Sequence, residues 1–136
     1  MHWMTPYIGL PYLTGGRNKK GLDCWGLMRL IYKEEKGIEL PEYPGISAEE
    51  AIIKGKVIAR DTANDWIPIE KPEDGCGVAM SQKHVYHHVG VWADADGGKV
   101  VHCWEGTKFV VADTRRNLYL KGFLKIAFFR HKEWPT

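Results

Sequence analysis

The chain has 136 residues, of which 44% are hydrophobic and 26% charged, an ordinary composition for one globular domain. This composition excludes a disordered chain, a collagen and a coiled coil, and we expect a single domain over residues 1–136. The net charge of +2 comes from interspersed charges of both signs, so no nucleic-acid partner is expected.

The first 16 residues form the longest uncharged stretch, but prolines and glycines interrupt it and no positive charge precedes an apolar run. This pattern indicates neither a signal peptide nor a membrane span, so we expect synthesis in the cytoplasm and no membrane partner. The chain has three cysteines. An odd number in a reducing compartment favours free thiols over a disulfide framework.

Helical spacing of apolar residues predicts a first helix over residues 23–36, with Asp23 as its N-cap and Gly37 just after its last turn. A second helix is predicted to begin at Ser47, because Glu50 three residues later completes a capping box. Both helices precede the predicted strands.

After residue 72 the hydrophobic period changes to two, and short β-branched or aromatic runs alternate with turn residues. This pattern predicts an antiparallel meander. Helices followed by strands indicate an α+β domain, with N-terminal helices packed on one face of a small antiparallel sheet of about five strands. The predicted strands are residues 77–81, 87–93, 100–104, 109–112 and 124–130.

Cys24 falls in the first turn of the predicted helix, where unpaired N–H groups and the positive end of the helix dipole stabilise a thiolate. We therefore expect a lowered thiol pKa and an activated nucleophile. Helical spacing also places Cys24 at the end of the buried face, with Leu27 and Ile31. The alternative is a small buried core residue, which is what most free cysteines are.

A nucleophilic cysteine needs a base, and the base needs a partner that orients it. Two consecutive predicted strands form a hairpin across a Gly-rich turn, and period two places His88 and His102 on one face, roughly 5 to 8 Å apart between Cβ atoms. His87 and Cys103 then point to the opposite face. The alternatives are ordinary polar packing and a zinc site. His84 and His88 stand four residues apart, but no C-x2-C pair and no usual structural zinc arrangement is present, so no metal is expected.

Four short motifs follow one another along the chain. They are Tyr12-Leu-Thr-Gly-Gly-Arg17, Gly21-Leu-Asp-Cys-Trp-Gly26, His88-Val-Gly-Val-Trp92 and Val100-Val-His-Cys103. In this order they resemble the NlpC-type cysteine peptidases, papain-like enzymes that cut peptidoglycan stem peptides. The sequence around Cys24, together with the following Gly37-Ile-Glu-Leu-Pro41, looks most like the branch found in phage and prophage tails.

The resemblance implies a papain-like fold and acyl transfer without a cofactor. It makes Cys24 the nucleophile, His88 the general base and later acid, and His102 the residue that orients His88. Tyr12 would complete the oxyanion site with the backbone N–H of Cys24. The implied partner is the peptidoglycan stem peptide. Location in a virion tail would add phage tail proteins as partners.

Asp23, Trp25 and Trp92 are the candidate substrate-binding residues. Many cell-wall members carry a serine where Trp25 stands, so Trp25 either reshapes the pocket or packs against the N-terminal loop. Asp23 either caps the helix or binds a substrate amine. Trp92 and Trp104 share the predicted face of the two histidines and either surround the site or only pack there. Trp66 is a core residue or a substrate platform.

The sequence therefore predicts a cysteine endopeptidase that hydrolyses a stem-peptide bond, expected to be the γ-D-glutamyl to diamino acid bond, as a phage or prophage tail component. The first alternative is a catalytically silent tail-assembly or wall-binding module on the same fold. A second alternative is an acyltransferase, which uses the same residues with an acceptor other than water.

Overall fold

The computed structural model describes residues 2–42, 65–82 and 87–134. The helix predicted to begin at Ser47 lies outside these residues. No helix in the described part of the chain is long and apolar enough to cross a membrane.

The first helix, α1, spans Cys24–Lys36 and begins and ends where the capping residues predicted. The Asp23 side chain accepts a hydrogen bond from the N–H of Gly26, which is otherwise unpaired at the start of a helix. Gly37 has a φ of 68° and its N–H bonds to the carbonyl of Lys33, so glycine ends the helix in the left-handed conformation.

Eight strands and a second short helix, α2 (Arg115–Leu120), complete the described part of the fold, with a 3-10 turn at Thr5–Tyr7. The strands are β1 (Arg17–Asn18), β2 (Gly21–Leu22), β3 (Trp66–Ile69), β4 (Gly77–Ser81), β5 (His88–Ala93), β6 (Lys99–His102), β7 (Val111–Asp113) and β8 (Lys125–His131). Strands β1 and β2 form a two-stranded hairpin, and the others form an antiparallel sheet in the order β3-β8-β4-β5-β6-β7.

The sheet has six strands, so the expected number of about five is wrong. Strands β4 to β7 form the predicted meander. The bounds of β4 are as predicted, and those of β5, β6 and β7 are shifted by one or two residues. Strand β8 instead returns to the free edge of β4, and β3, which the sequence did not predict, pairs with β8. Pro68 obscures β3 in the sequence, yet an edge strand tolerates a proline because one side of its backbone needs no ladder partner.

Helices α1 and α2 pack on opposite faces of the sheet. The sequence did not predict α2, and the expectation that the N-terminal helices share one face also concerns the helix from Ser47, which lies outside the described residues. Residues of α1 share a core with the odd-numbered positions of β5, such as Val89 and Val91. Leu118 of α2 packs on the other face with Trp92 and Val100. Period two along β5 therefore separates the two cores.

Trp66 is a core residue, as the first of its two interpretations predicted. Its side chain is 4% exposed, and its ring lies 5.7 Å from that of Tyr32 and 4.8 Å from that of His131 between centroids. These three rings anchor the sheet edge at β3 and β8 to helix α1.

Candidate active site

The hairpin of β5 and β6 brings the two predicted histidines into direct contact. Val91 pairs with Val101, a register that places His88 diagonally from His102 on the same face. His88 Nε2 lies 2.8 Å from His102 Nδ1, and the two side chains are buried. The predicted juxtaposition is therefore observed.

Gly90 makes this approach possible. A Cβ at this position would lie 2.7 Å from Val100 Cγ1 and 3.0 Å from His102 Cβ, closer than ordinary packing allows. A side chain at residue 90 would push the His102 side of the hairpin away from β5. The sequence contains this glycine between the two histidines, but only the register shows that it faces His102.

The His102 imidazole continues the hydrogen-bonded chain to a carboxylate that sequence reasoning missed. His102 Nε2 lies 2.7 Å from Asp113 Oδ2, and Lys121 Nζ donates to the same oxygen over 2.6 Å. Asp113 is the last residue of β7 and pairs with Val100 of the neighbouring strand β6. Extending the period-two argument from β6 to β7 could have found it. Lys121 offered no such pattern, because it follows a short helix that was not predicted.

An aromatic wall covers the histidine pair. The Phe123 ring stacks on His88, with centroids 5.3 Å apart and planes at 22°, and meets His102 edge-on. The centroid of the Trp104 ring lies 6.3 Å from that of His88. Burial lowers the pKa of His88 well below its usual value, and the nearby His102 and His87 add to the effect. His88 is therefore neutral around pH 7.

His87 does not follow the prediction that it points away from this face. It precedes β5, its Nε2 accepts from the backbone N–H of Gln82, and its ring lies 6.1 Å from Phe123. Cys103 does follow the prediction, because it packs in the core on the α1 side and its thiol donates to the carbonyl of Leu22.

Cys24 begins α1 and its side chain is almost buried, with 6% exposure. Burial raises the pKa of its thiol to about 12, the Asp23 carboxylate adds to the rise, and hydrogen bonds with the backbone of Val89 and Trp25 offset only part of it. The expected lowering of the Cys24 pKa is therefore wrong. Burial destabilises the thiolate by more than the N–H groups and the dipole at the start of the helix stabilise it.

The Cys24 thiol lies beside β5, the strand that carries His88. Its hydrogen bond to the Val89 backbone places Sγ next to the residue that follows His88. Cys24 and His88 are both described, and no hydrogen bond joins their side chains. Since Nε2 of His88 is occupied by His102, Nδ1 is the nitrogen left for a proton from the thiol.

Tyr12 lies near the Cys24 thiol. It forms a β-bridge with Leu22, and its hydroxyl bonds to Thr14 Oγ1 over 3.1 Å. Burial raises the pKa of Tyr12, and the nearby Asp23 and Cys24 contribute to the rise. Tyr12 is thus a neutral phenol, which can donate a hydrogen bond.

Asp23 caps the helix, as one of its two interpretations predicted. Besides Gly26, its carboxylate accepts from the backbone N–H of Gly15 over 3.1 Å and from Arg17 Nη1 over 2.7 Å. The carboxylate is 4% exposed. These contacts join the Gly-Gly-Arg segment to the start of α1, and amine binding by Asp23 stays a prediction.

Two of the candidate substrate-binding residues belong to the protein core. Trp25 is fully buried and its Nε1 donates to the carbonyl of Pro41, so it packs against protein and offers a substrate no surface in this conformation. Trp92 is 5% exposed, packs edge-on against Phe128, and stands four residues along β5 from His88. Burial fits the packing interpretation of Trp25 and Trp92, and substrate binding by either residue stays a prediction.

A metal centre is not formed by the described residues. Within 2–42, 65–82 and 87–134, no three His, Cys, Asp or Glu side chains converge as metal ligands. The arrangement is instead a thiol, two imidazoles, a carboxylate and an ammonium, which is suited to moving a proton.

Comparison with known proteins supports the grouping of these motifs. The model of the NlpC/P60 family matches residues 9–127, most of the chain. The chain belongs to the NlpC/P60 family. The matched region contains Tyr12, Cys24, His88 and His102, and also Asp113.

Several bacterial proteins are similar to this chain in sequence. The chain is 29% identical over 107 residues to gamma-DL-glutamyl hydrolase of Bacillus subtilis, covering 78% of this chain and 23% of that protein. It is 33% identical over 96 residues to gamma-D-glutamyl-L-lysine dipeptidyl-peptidase of the same organism, covering 71% and 28%. Murein DD-endopeptidase MepS/murein LD-carboxypeptidase of Escherichia coli is 35% identical over 60 residues, covering 44% and 30%. The chain thus spans less than a third of these curated relatives.

A solved structure shows the same fold. The NlpC/p60 domain of the peptidoglycan hydrolase SagA superposes with a TM-score of 0.61, covering 93% of this chain and 92% of that chain at 19% identity. The α+β arrangement predicted from the sequence is therefore the fold of an NlpC/P60 domain.

Proposed function

We propose that this chain is a cysteine peptidase that hydrolyses a bond in peptidoglycan stem peptides. The observation that carries the proposal is the hydrogen-bonded chain from His88 through His102 to Asp113, beside a thiol at a helix start. A core without catalysis has no need to bury three linked titratable groups, because each costs desolvation free energy. This cost argues against the catalytically silent module.

The proposed reaction is an acyl transfer through a thioester. Cys24 Sγ attacks the carbonyl carbon while His88 takes the thiol proton, and the oxyanion accepts hydrogen bonds from Tyr12 and the Cys24 backbone N–H. The C–N bond then breaks, and His88 gives its proton to the leaving amine. Water attacks the thioester, its proton passes to His88, and the carboxylate product and free thiol are released.

The resting pair is a thiol and a neutral imidazole. A thiol pKa of about 12 and a His88 pKa well below its usual value leave the proton on sulfur around neutral pH. Proton transfer and attack on the carbonyl must therefore occur together once substrate is bound. His88 acts as a true general base in this scheme.

The proposed bond is the one between γ-D-glutamyl and a diamino acid. The names of two similar proteins, gamma-DL-glutamyl hydrolase and gamma-D-glutamyl-L-lysine dipeptidyl-peptidase, support this choice. We extend the proposal to a role in a phage or prophage tail. This extension rests on the resemblance of the residues around Cys24 and Gly37 to the branch found in such tails. The tail role predicts that the protein co-purifies with assembled virions, and its absence from purified virions would contradict that role.

The test is digestion of defined disaccharide-peptides by the wild type and by Cys24→Ala, followed by mass spectrometry. Cys76→Ala is the matched control, because Cys76 is also buried but packs in the core on the α2 side. We expect new fragments, heavier in sum by one water, with the wild type and Cys76→Ala only. Uncleaved disaccharide-peptides with all three proteins would contradict the proposal and favour a catalytically silent module. Fragments joined to an added amine in place of water would favour the acyltransferase.

A further inference from the structure

We propose that Asp113 and Lys121 are positioning residues that fix the ring tautomers of His102 and His88, so that Nδ1 of His88 carries the free lone pair. The inference deepens the proposed function and rests on it for its catalytic consequence. Its structural part, the position of each ring proton, stands on the hydrogen bonds alone.

The ammonium of Lys121 determines the direction of the first bond. A lysine ammonium only donates, so Asp113 Oδ2 accepts from Lys121 Nζ at 2.6 Å. The same oxygen lies 2.7 Å from His102 Nε2, and a carboxylate can only accept from it. His102 therefore carries its proton on Nε2.

The second bond follows from the first. With its proton on Nε2, the His102 ring offers the lone pair of Nδ1, which lies 2.8 Å from His88 Nε2. His88 must donate from Nε2 into that lone pair. The remaining nitrogen of His88, Nδ1, is then unprotonated, and this is the nitrogen that a general base needs.

Lys121 also holds the accepting oxygen in place. Its ammonium donates to the same Asp113 oxygen that accepts from His102 Nε2. It also balances the charge of the Asp113 carboxylate, so that the pair presents little net charge to the His102 ring. Without Lys121 the carboxylate is free to turn, and the His102 ring loses the contact that fixes its tautomer.

The His102 and Asp113 side chains of this network are largely withdrawn from water. His102 is fully buried, the Asp113 side chain is 7% exposed and Lys121 is 35% exposed. Burial alone would raise the pKa of Asp113, but hydrogen bonds from His102 and Lys121 outweigh it and lower the pKa. His87, just before β5, is a further titratable group close enough to His88 to affect its charge.

The direct test is two-dimensional ¹⁵N NMR of the imidazoles in the uniformly labelled full chain. We expect His88 and His102 both to be protonated on Nε2 near pH 7. In Lys121→Met we expect His88 to show a population with its proton on Nδ1 that the wild type lacks at the same pH. Lys125→Met is the control, because Lys125 is an exposed lysine on β8. A wild-type His88 protonated on Nδ1, or Lys121→Met spectra equal to the control, would overturn the inference.

The kinetic arm measures the pH profile of stem-peptide cleavage. Lys121→Met is expected to move the acidic limb of the profile upward by about one pH unit, which is roughly a tenfold loss of rate on that limb. Asp113→Asn is expected to lower the rate at every pH, because the carboxamide can also donate to His102 Nε2 and reverse both tautomers. Active variants with the pH profile of the wild type would refute this inference and leave the proposed function standing. No cleavage by a wild type with the expected tautomers would refute the proposed function alone.

Discussion

Replacement of Asp23 by alanine is expected to destabilise the domain by about 2 to 4 kcal/mol. Loss of an N-cap costs about 1 kcal/mol. The ion pair with Arg17 is largely withdrawn from water, with side-chain exposures of 4% for Asp23 and 18% for Arg17. Loss of a mostly buried partner adds about 1 to 3 kcal/mol, discounted here because the guanidinium retains some solvent.

A serine at residue 23 separates the two contributions. Asp23→Ser keeps an oxygen that can accept from the N–H of Gly26 but removes the charge that pairs with Arg17. We expect Asp23→Ser to fall between the wild type and Asp23→Ala, about 1 kcal/mol above the alanine variant. For a domain of this size, the alanine variant should melt roughly 6 to 12 °C below the wild type.

Thermal and urea unfolding of the three proteins measure these differences, and cleavage kinetics test the other interpretation of Asp23. If the carboxylate binds a substrate amine, Asp23→Ser raises KM by much more than its stability loss explains. Equal melting temperatures for the wild type and Asp23→Ala would refute the capping argument.

Three further predictions follow from described contacts. Gly26→Ala should lower the melting temperature although alanine favours helices, because its Cβ would collide with the backbone carbonyl of Gly16, and unchanged melting would contradict that contact. Trp25→Phe should cost about 1 kcal/mol in urea unfolding by removing the hydrogen bond to Pro41, yet leave KM unchanged; a raised KM would support its substrate role. Acid should destabilise the wild type by up to about 2 kcal/mol between pH 6.5 and 5, because His88 is protonated only when unfolded, and His88→Gln should lose most of that dependence.

The sequence predicted the parts of the fold that depend on local pattern. Helix α1 was found from its capping residues because Asp23 and Gly37 act on neighbouring backbone groups. The contact of His88 with His102 was found because a hairpin places residues on one face by period alone. Both arguments need only a few consecutive residues.

The parts that the sequence missed depend on distant pairing or on burial. Strand β8 joins β4 across more than forty residues, and no local pattern specifies that partner. Asp113 meets His102 only because β7 pairs with β6, and Lys121 reaches it only through α2. The motif position of Trp25 left pocket formation and packing both open, and only the assembled core shows that the side chain is buried.

The central claim is that an acyl group forms a thioester on Cys24, and trapping with hydroxylamine tests it most directly. Hydroxylamine attacks a thioester and converts the acyl fragment to a hydroxamate, releasing the thiol. With stem peptide and wild-type protein, we expect hydroxamate to replace the carboxylate product as hydroxylamine increases, and no product of either kind with Cys24→Ala. Carboxylate alone at every hydroxylamine concentration, or equal products from Cys24→Ala, would contradict the thioester mechanism.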